Sequence, residues 1–288
     1  MTGLRCVDDP GPRVFAERAW AFLDRDPVGN NVLCTSIEAA CVEEHPDWRW
    51  VRVLDGDELV GVAMHTPPRG PLLSELPEPA AHALARHFAG TTAALSSVNG
   101  PPAAAAAFAA HYAGLTGMTT RPGERARLFR LDRVRSPIGV PGQSRAATAA
   151  DRDLIRAWMD GFMAETARDD PMRAEREAAI ERRFAHGDLM WLWEVDGVPV
   201  SFAWRSPLAP VTRWPRTTVV RVSAVYTPPE LRGRGYASAN VAAVSAAGLA
   251  AGARACMLYT DAANPTSNKI YQAVGYRPVG AAQEWRFS

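Results

Sequence analysis

The chain has 288 residues, enough for about two domains of 100–150 residues each. At 47% hydrophobic and 22% charged it has the make-up of a globular protein with a sizeable core, and its net charge of +1 offers no basic field to nucleic acid or an anionic membrane. No run approaches the ~18–20 apolar residues of a membrane span, and Cys6, Cys34, Cys41 and Cys256 lack disulfide or metal spacing, so a cytoplasmic protein with buried, inert thiols is expected.

Residues 14–24 and 31–44 carry apolar positions at helical spacing. In Val51 to Met64 two strand-like runs flank Asp55-Gly56, a strong hairpin signal. A strand over 72–76, a helix over 79–88, a strand over 93–98, an Ala-rich helix over 103–112 and a strand over 127–131 complete the first half. Pro137, Pro141 and two glycines mark residues 136–144 as a linker. A strand over 145–148 follows, then Thr148 or Asp151 as helix N-cap and helices over 151–166 and 172–186 joined by Asp169-Asp170-Pro171. Trp191 to Trp204 reads as a second hairpin around Asp196-Gly197. Strands over 219–226, 256–259 and 284–287 alternate with helices over 237–251 and 266–274.

The halves resemble each other. Asp55 and Asp196 lie 141 positions apart, as do Trp50 and Trp191, and Asn99-Gly100-Pro101 resembles Asn264-Pro265 further on. Between those markers the second half alone has Arg232-Gly233-Arg234-Gly235-Tyr236-Ala237; the first has Leu76-Pro77-Glu78-Pro79. A β-branched run, a glycine turn and an Ala-rich helix aim free backbone N–H groups at one place, and an anion, usually a phosphate, is the expected occupant. The turn departs from a dinucleotide fingerprint, because Ser238 stands where the third glycine belongs, and it lacks the Gly-Lys-Ser/Thr of a Walker loop.

Val225-Tyr226-Thr227, then Arg232-x-x-Gly235-x-Ala237, resembles the acyl-CoA-binding motif of the GNAT N-acetyltransferase family. Asn264, Asn268, Tyr271 and Gly275-Tyr276 resemble its later motif. The resemblance covers about residues 143–288, and the whole chain is similar to a tandem GNAT protein. It implies an α/β (α+β) fold with two GNAT-like domains, each a central mixed sheet flanked by helices. Residues 1–135 would be a degenerate copy, 136–144 the linker and 145–288 the catalytic domain.

The resemblance also implies acetyl-CoA as co-substrate, with its pyrophosphate on Arg232, Gly233, Arg234, Gly235, Tyr236 and Ala237. Its pantetheine arm would lie along Val225, Tyr226 and Thr227 and reach Asn264 and Asn268, with Tyr271 as general acid. A capping role for Asn264 is the alternative. No metal is expected.

A general base is harder to find, since Val219 to Tyr226 holds no carboxylate. Glu165, Glu194 and Asp261 are candidates, and Glu165 with Asp169 and Asp170 would suit a cationic amine. Trp191, Trp193, Trp204 and Trp214 read as core aromatics that could also line an acceptor pocket; the six histidines have no triad or ligand spacing. The expected function is acyl transfer to a primary amine in a ternary complex, by a monomer or homodimer. A small-molecule acceptor leads, a protein or peptide amine comes second, and a non-catalytic acyl-CoA-binding or regulatory module is the alternative.

Overall fold

The computed structural model describes residues 3–43, 45–166, 173–187, 189–208 and 218–288. The first half runs β1 (Leu4–Asp9), α1 (Pro12–Leu23), α2 (Asn31–Ala40), β2 (Arg49–Asp55), β3 (Glu58–His65), β4 (Leu72–Leu73), α3 (Glu78–Thr91), β5 (Ser97–Gly100), α4 (Pro102–Thr116) and β6 (Thr120–Leu131). The second runs β7 (Gln143–Ala146), α5 (Arg152–Thr166), α6 (Arg173–His186), β8 (Met190–Val195), β9 (Val198–Arg205), β10 (Val219–Tyr226), α7 (Tyr236–Ala250), β11 (Ala255–Asp261), α8 (Pro265–Val274) and β12 (Arg277–Phe287). Apart from single 3-10 turns before α5 and α7, the two halves repeat one another element for element.

The hairpins show how the repeat aligns. Asp55 pairs with Glu58 around Gly56-Asp57, whereas Val195 pairs with Val198 around Asp196-Gly197, both in left-handed backbone. Trp50 opposes Met64, and Met190 opposes Trp204. Trp50 therefore corresponds to Met190, not to Trp191 as the shared Asp-Gly spacing suggests. A one-residue slip turns a strand side chain to the other face, and burial agrees: Trp50 and Met190 are 2% and 1% exposed. Trp191 packs instead against the group of Ala203, Val222 and Val244.

The strands form one mixed sheet in the order β1-β2-β3-β4-β5-β12-β6-β11-β10-β9-β8-β7. The last strand of each half is thus exchanged: β12 lies between β5 and β6, and β6 between β12 and β11. The cores follow the exchange. Phe287 and Trp285 pack with Leu84, Phe88, Phe108 and Tyr112 of the first half, and Phe129 and Leu131 pack with Val241, Tyr271 and Val274 of the second. Each such large apolar side chain contributes about 1.5–3 kcal/mol when fully buried. In place of two separate sheets there is one, because neither half supplies all its own neighbours.

Several strand expectations shift for local reasons. β4 stops at Leu73 because Ser74 turns aside, its Oγ accepting from Val62 N at 3.0 Å. β7 starts at Gln143, within the expected linker, and ends at Ala146. Thr148 beyond it is given over to a capping box in which Asp151 accepts from Thr148 N at 2.7 Å. β12 is 11 residues long because partners on both sides hold it; its own exposed, Gly- and Pro-containing start gives no alternation. β1 was hidden by its polar residues; its Asp9 is buried between Arg52 and Arg18, each 2.7 Å away.

In the second half α5 and α6 cover one face of the sheet through Ile155, Met159 and Ile180. Helices α7 and α8 cover the other. The first half reaches across as well: Asn31 on α2 donates to Val219 O at 3.0 Å, and Val28 packs with Val219, Met257 and Leu128.

Candidate active site

Parallel strands β10 and β11 pair only at Val219–Ala255, Val220–Cys256 and Arg221–Met257. From Val222 and Leu258 onward the ladder stops, leaving a gap between the two strands. On the other edge of β10 the ladder to β9 shifts between Ser223 and Tyr226, and Ala224 sits at φ 49°. A left-handed alanine costs about 1–2 kcal/mol, so the surrounding structure must hold it there. With no ladder on one side and a shifted one on the other, Ala224 and Val225 have no register partner in either neighbouring strand.

Beyond β10 the chain turns through Gly233 (φ 78°) and Gly235 (φ 83°) into α7. Gly235 is the N-cap residue and supplies no side-chain cap, and the first turn holds no acidic residue. Helix bonding begins with Ala239 N to Gly235 O at 3.0 Å, so the N–H groups of Tyr236, Ala237 and Ser238 have no intrahelical acceptor. Together with the helix dipole they make a positive site for an oxyanion.

Facing this gap from the next βα unit, α8 opens with Asn264, whose Oδ1 accepts from Ser267 N at 3.0 Å. The capping role is therefore real. Asn268 donates through Nδ2 to Asn264 O at 2.7 Å, while its Oδ1 is buried with no partner among the described residues. Such an acceptor fits an amide N–H of a ligand arm. Tyr271, one turn on, shares an apolar cluster with Val225 and lies 6.3 Å, ring to ring, from Phe129. Burial pushes its hydroxyl up to about 12, so the phenol stays neutral.

Residues 152–276 match the acetyltransferase (GNAT) family. They form a GNAT acyltransferase domain. The fold of the whole chain is similar to that of a GNAT-family acetyltransferase from Colwellia psychrerythraea (9% identity, 99% of each chain, TM-score 0.56). It is also similar to a tandem GNAT protein of the clavulanic acid biosynthesis pathway (14% identity, 99% of this chain and 98% of that one, TM-score 0.55). A GCN5-related N-acetyltransferase from Sphaerobacter thermophilus is comparable (14% identity, 98% and 95%, TM-score 0.55). No functionally curated protein matches the chain.

Other expected site residues are engaged within the GNAT domain itself. Arg232 does not reach freely toward the turn: its Nε donates to Thr227 O at 2.8 Å, and its Nη2 meets both oxygens of Glu165 at 2.6 and 2.8 Å. Tyr226 packs on α5, where a Cβ on Gly161 would lie 2.5 Å from its hydroxyl. Thr227 donates to Ser201 Oγ at 2.9 Å. Glu165 and Arg232 thus clamp the end of α5 to the turn. Arg234 has no ion pair among the described residues.

The structure does not bring Glu194 to the gap. It lies on β8, two strands from β10, and Arg145 joins it at 2.7 Å to Asp151. That guanidinium and the capping bonds hold Asp151 down at about 2. Asp261 ends β11 beside the gap, exposed, its Oδ1 accepting from Ala263 N at 2.8 Å. Asp169, Asp170, Pro171 and Trp214 lie outside the described residues. Burial raises the thiols of Cys6 to about 11 and of Cys34 and Cys256 to about 12, so none is a thiolate at neutral pH. Among the described residues no three His, Cys, Asp or Glu side chains gather as metal ligands, and no helix is long and apolar enough to cross a membrane.

At the corresponding place in the first half β4 and β5 share one pair, Leu72–Asn99, and Leu73 lies so close that a Cβ on Gly100 would come 2.9 Å from its Cβ. Helix α3 starts behind Pro77 with Glu78 in its first turn, a negative charge where α7 has none.

Sequence reasoning missed Ala224, which carries no signal for left-handed backbone. It also passed over Arg221, although an arginine inside the run Val219-Val220-Arg221-Val222 is a visible anomaly in a central strand.

Proposed function

We propose that the protein transfers an acyl group, acetyl as the default, from a CoA thioester to a primary amine by direct attack in a ternary complex. The observation that carries this reading is the uncapped N-terminus of α7, opening beside a strand gap that the neutral Tyr271 flanks. GNAT acetyltransferases use acetyl-CoA and act on amines. In this reading the pyrophosphate lies on the N–H groups from Gly233 to Ala237. Arg234 adds a guanidinium, since Arg232 is committed to Glu165 and Thr227. Of Val225, Tyr226 and Thr227, Val225 offers its backbone to the pantetheine arm, since the carbonyls of Tyr226 and Thr227 accept from Ser201 and Arg232; Asn268 offers its unpaired Oδ1. Asn264 holds the start of α8 rather than the ligand.

The CoA thioester supplies an activated carbonyl carbon and a sulfur leaving group. The amine nitrogen forms the new C–N bond as the C–S bond breaks. N–H groups of the Ala224–Val225 segment donate to the carbonyl oxygen. Tyr271 gives its Oη proton to the departing sulfur while taking up the proton the amine releases, so the phenol ends as it began. No side-chain carboxylate is assigned as base. Glu165 is neutralised by Arg232 and Glu194 by Arg145, and the acceptor enters as the free amine or loses its proton to water.

Residues 1–135 fit a degenerate copy without an anion turn, which leaves α2 to cover one side of the acceptor face. Release of CoA thiol from acetyl-CoA with a panel of amines tests the whole reading. Tyr271→Phe should lower kcat by about 10²-fold or more and leave the KM for acetyl-CoA within about threefold. Tight acetyl-CoA binding with no thiol release from any amine would replace the enzyme with a binding or regulatory module.

A further inference from the structure

Two guanidinium groups gather on the α5–α6 face of the sheet, next to the point where β10 and β11 part. Arg221, on β10, is the last residue paired with β11 and reaches α2 of the first half. Its Nη1 lies 3.4 Å from both Asn31 Oδ1 and Thr35 Oγ1, two long contacts to neutral acceptors. Arg183, on α6, lies over the Trp204 ring at 4.1 Å and donates through Nη1 to Ala179 O at 3.0 Å. Its Nε is buried without a partner. Trp204 in turn donates to Ser223, two residues along β10 from Arg221 and on the same face.

Neither guanidinium meets a carboxylate among the described residues, although the chain elsewhere pairs its arginines closely, as in Arg145 with Asp151 and Glu194. Burial, with Arg221 and Arg182 nearby, brings Arg183 down to about 10, and burial also lowers Arg221. Both remain cationic at neutral pH. Tyr259 on β11 is beside Arg221, and burial raises it first, so it is a neutral phenol there; Asp26 adds to that rise. Two like charges and an unpaired buried donor disfavour the folded state unless an anion joins them.

Position says what that anion belongs to. Arg221 is three residues before Ala224, about 10 Å of strand, on the face opposite α7. A small molecule attached to Arg221 at one end would therefore extend toward the bulge where the acyl carbonyl is proposed to sit. We infer that the acceptor is an amine carrying an oxyanion, a carboxylate or a phosphate, which Arg221 and Arg183 hold while the amine points toward Ala224. This rests on the acyl-transfer reading and narrows its substrate class. It reverses the expectation of an acidic site for a cationic amine, since the one described member of that acidic group, Glu165, is already paired with Arg232.

The test compares matched pairs in the full chain with acetyl-CoA: amino acids against their carboxamides, and O-phosphoethanolamine against ethanolamine. Thiol release should favour the anion-bearing member of one pair type by about tenfold or more in kcat/KM, and which type does so separates carboxylate from phosphate. Arg221→Gln and Arg183→Gln should each shrink that ratio by about tenfold. Titrating the same compounds into the CoA-saturated chain reads the preference without turnover, and the wild-type comparison stands even where a variant folds poorly. Neutral members used as well as or better than anionic ones, a ratio unchanged in both variants, or no binding of any member would overturn the anion site while leaving acyl transfer intact. Failure to bind CoA at all would overturn both.

Discussion

Tyr271 is buried among Phe129, Val274 and Tyr276, and that burial sets its chemistry. A phenol raised to about 12 stays protonated through neutral and moderately alkaline pH. The sign is therefore clear: raising the pKa keeps the acid form, and activity that depends on it is lost only as pH approaches 12. With no carboxylate base assigned, kcat/KM should climb with the free-amine fraction of the acceptor and show no descending limb below about pH 10. Measured pH–rate profiles for two acceptors of different amine pKa check this; an ascending limb that stays put when the amine changes would point to an enzymic base instead. The family resemblance could point to Tyr271 and Asn268 because both stand in one short motif along one helix. The Arg232–Glu165 pair was not, since its members are 67 positions apart and only packing of α5 on the turn joins them.

At the scale of elements, the site is a strand, a turn and a helix whose geometry depends on left-handed backbone. Gly235 at φ 83° would place a Cβ 2.9 Å from Val140 Cγ2. Gly235→Ala is thus expected to meet a left-handed penalty of about 1–2 kcal/mol and to tilt the N–H groups away from the anion. Acetyl-CoA should bind about tenfold more weakly, measured by calorimetry alongside the melting temperature; unchanged affinity would remove the turn from the binding site. Glycine turns and Asp-Gly hairpins were legible because their signals are local. The register of those hairpins was not, for Asp55-Gly56 and Asp196-Gly197 look alike while the loops use Gly56-Asp57 and Asp196-Gly197. The short β4 and the polar β1 owe their form to Ser74 and Asp9, which find their partners only in the folded sheet.

For the molecule as a whole, the exchange of β6 and β12 is the feature no local pattern announced. β12 carries Trp285 and Phe287 into the core beneath α3 and α4, where the Phe287 ring is 4.8 Å from Tyr112. A chain ending at Tyr276 should therefore lose hydrogen-exchange protection in β5 and α4, more than 100 positions from the cut. Protection confined to losses around α8 would show that the first half stands alone. The same exchange ties the two halves together: the last strand of each lies among the strands of the other.

The claim on which the rest depends is that one of the two repeated halves, the second, holds an acyl-CoA. Calorimetric titration of the full chain with acetyl-CoA tests it most directly. A single site per chain is expected, weakened about tenfold by Gly235→Ala; two sites per chain, or no binding at all, would contradict it.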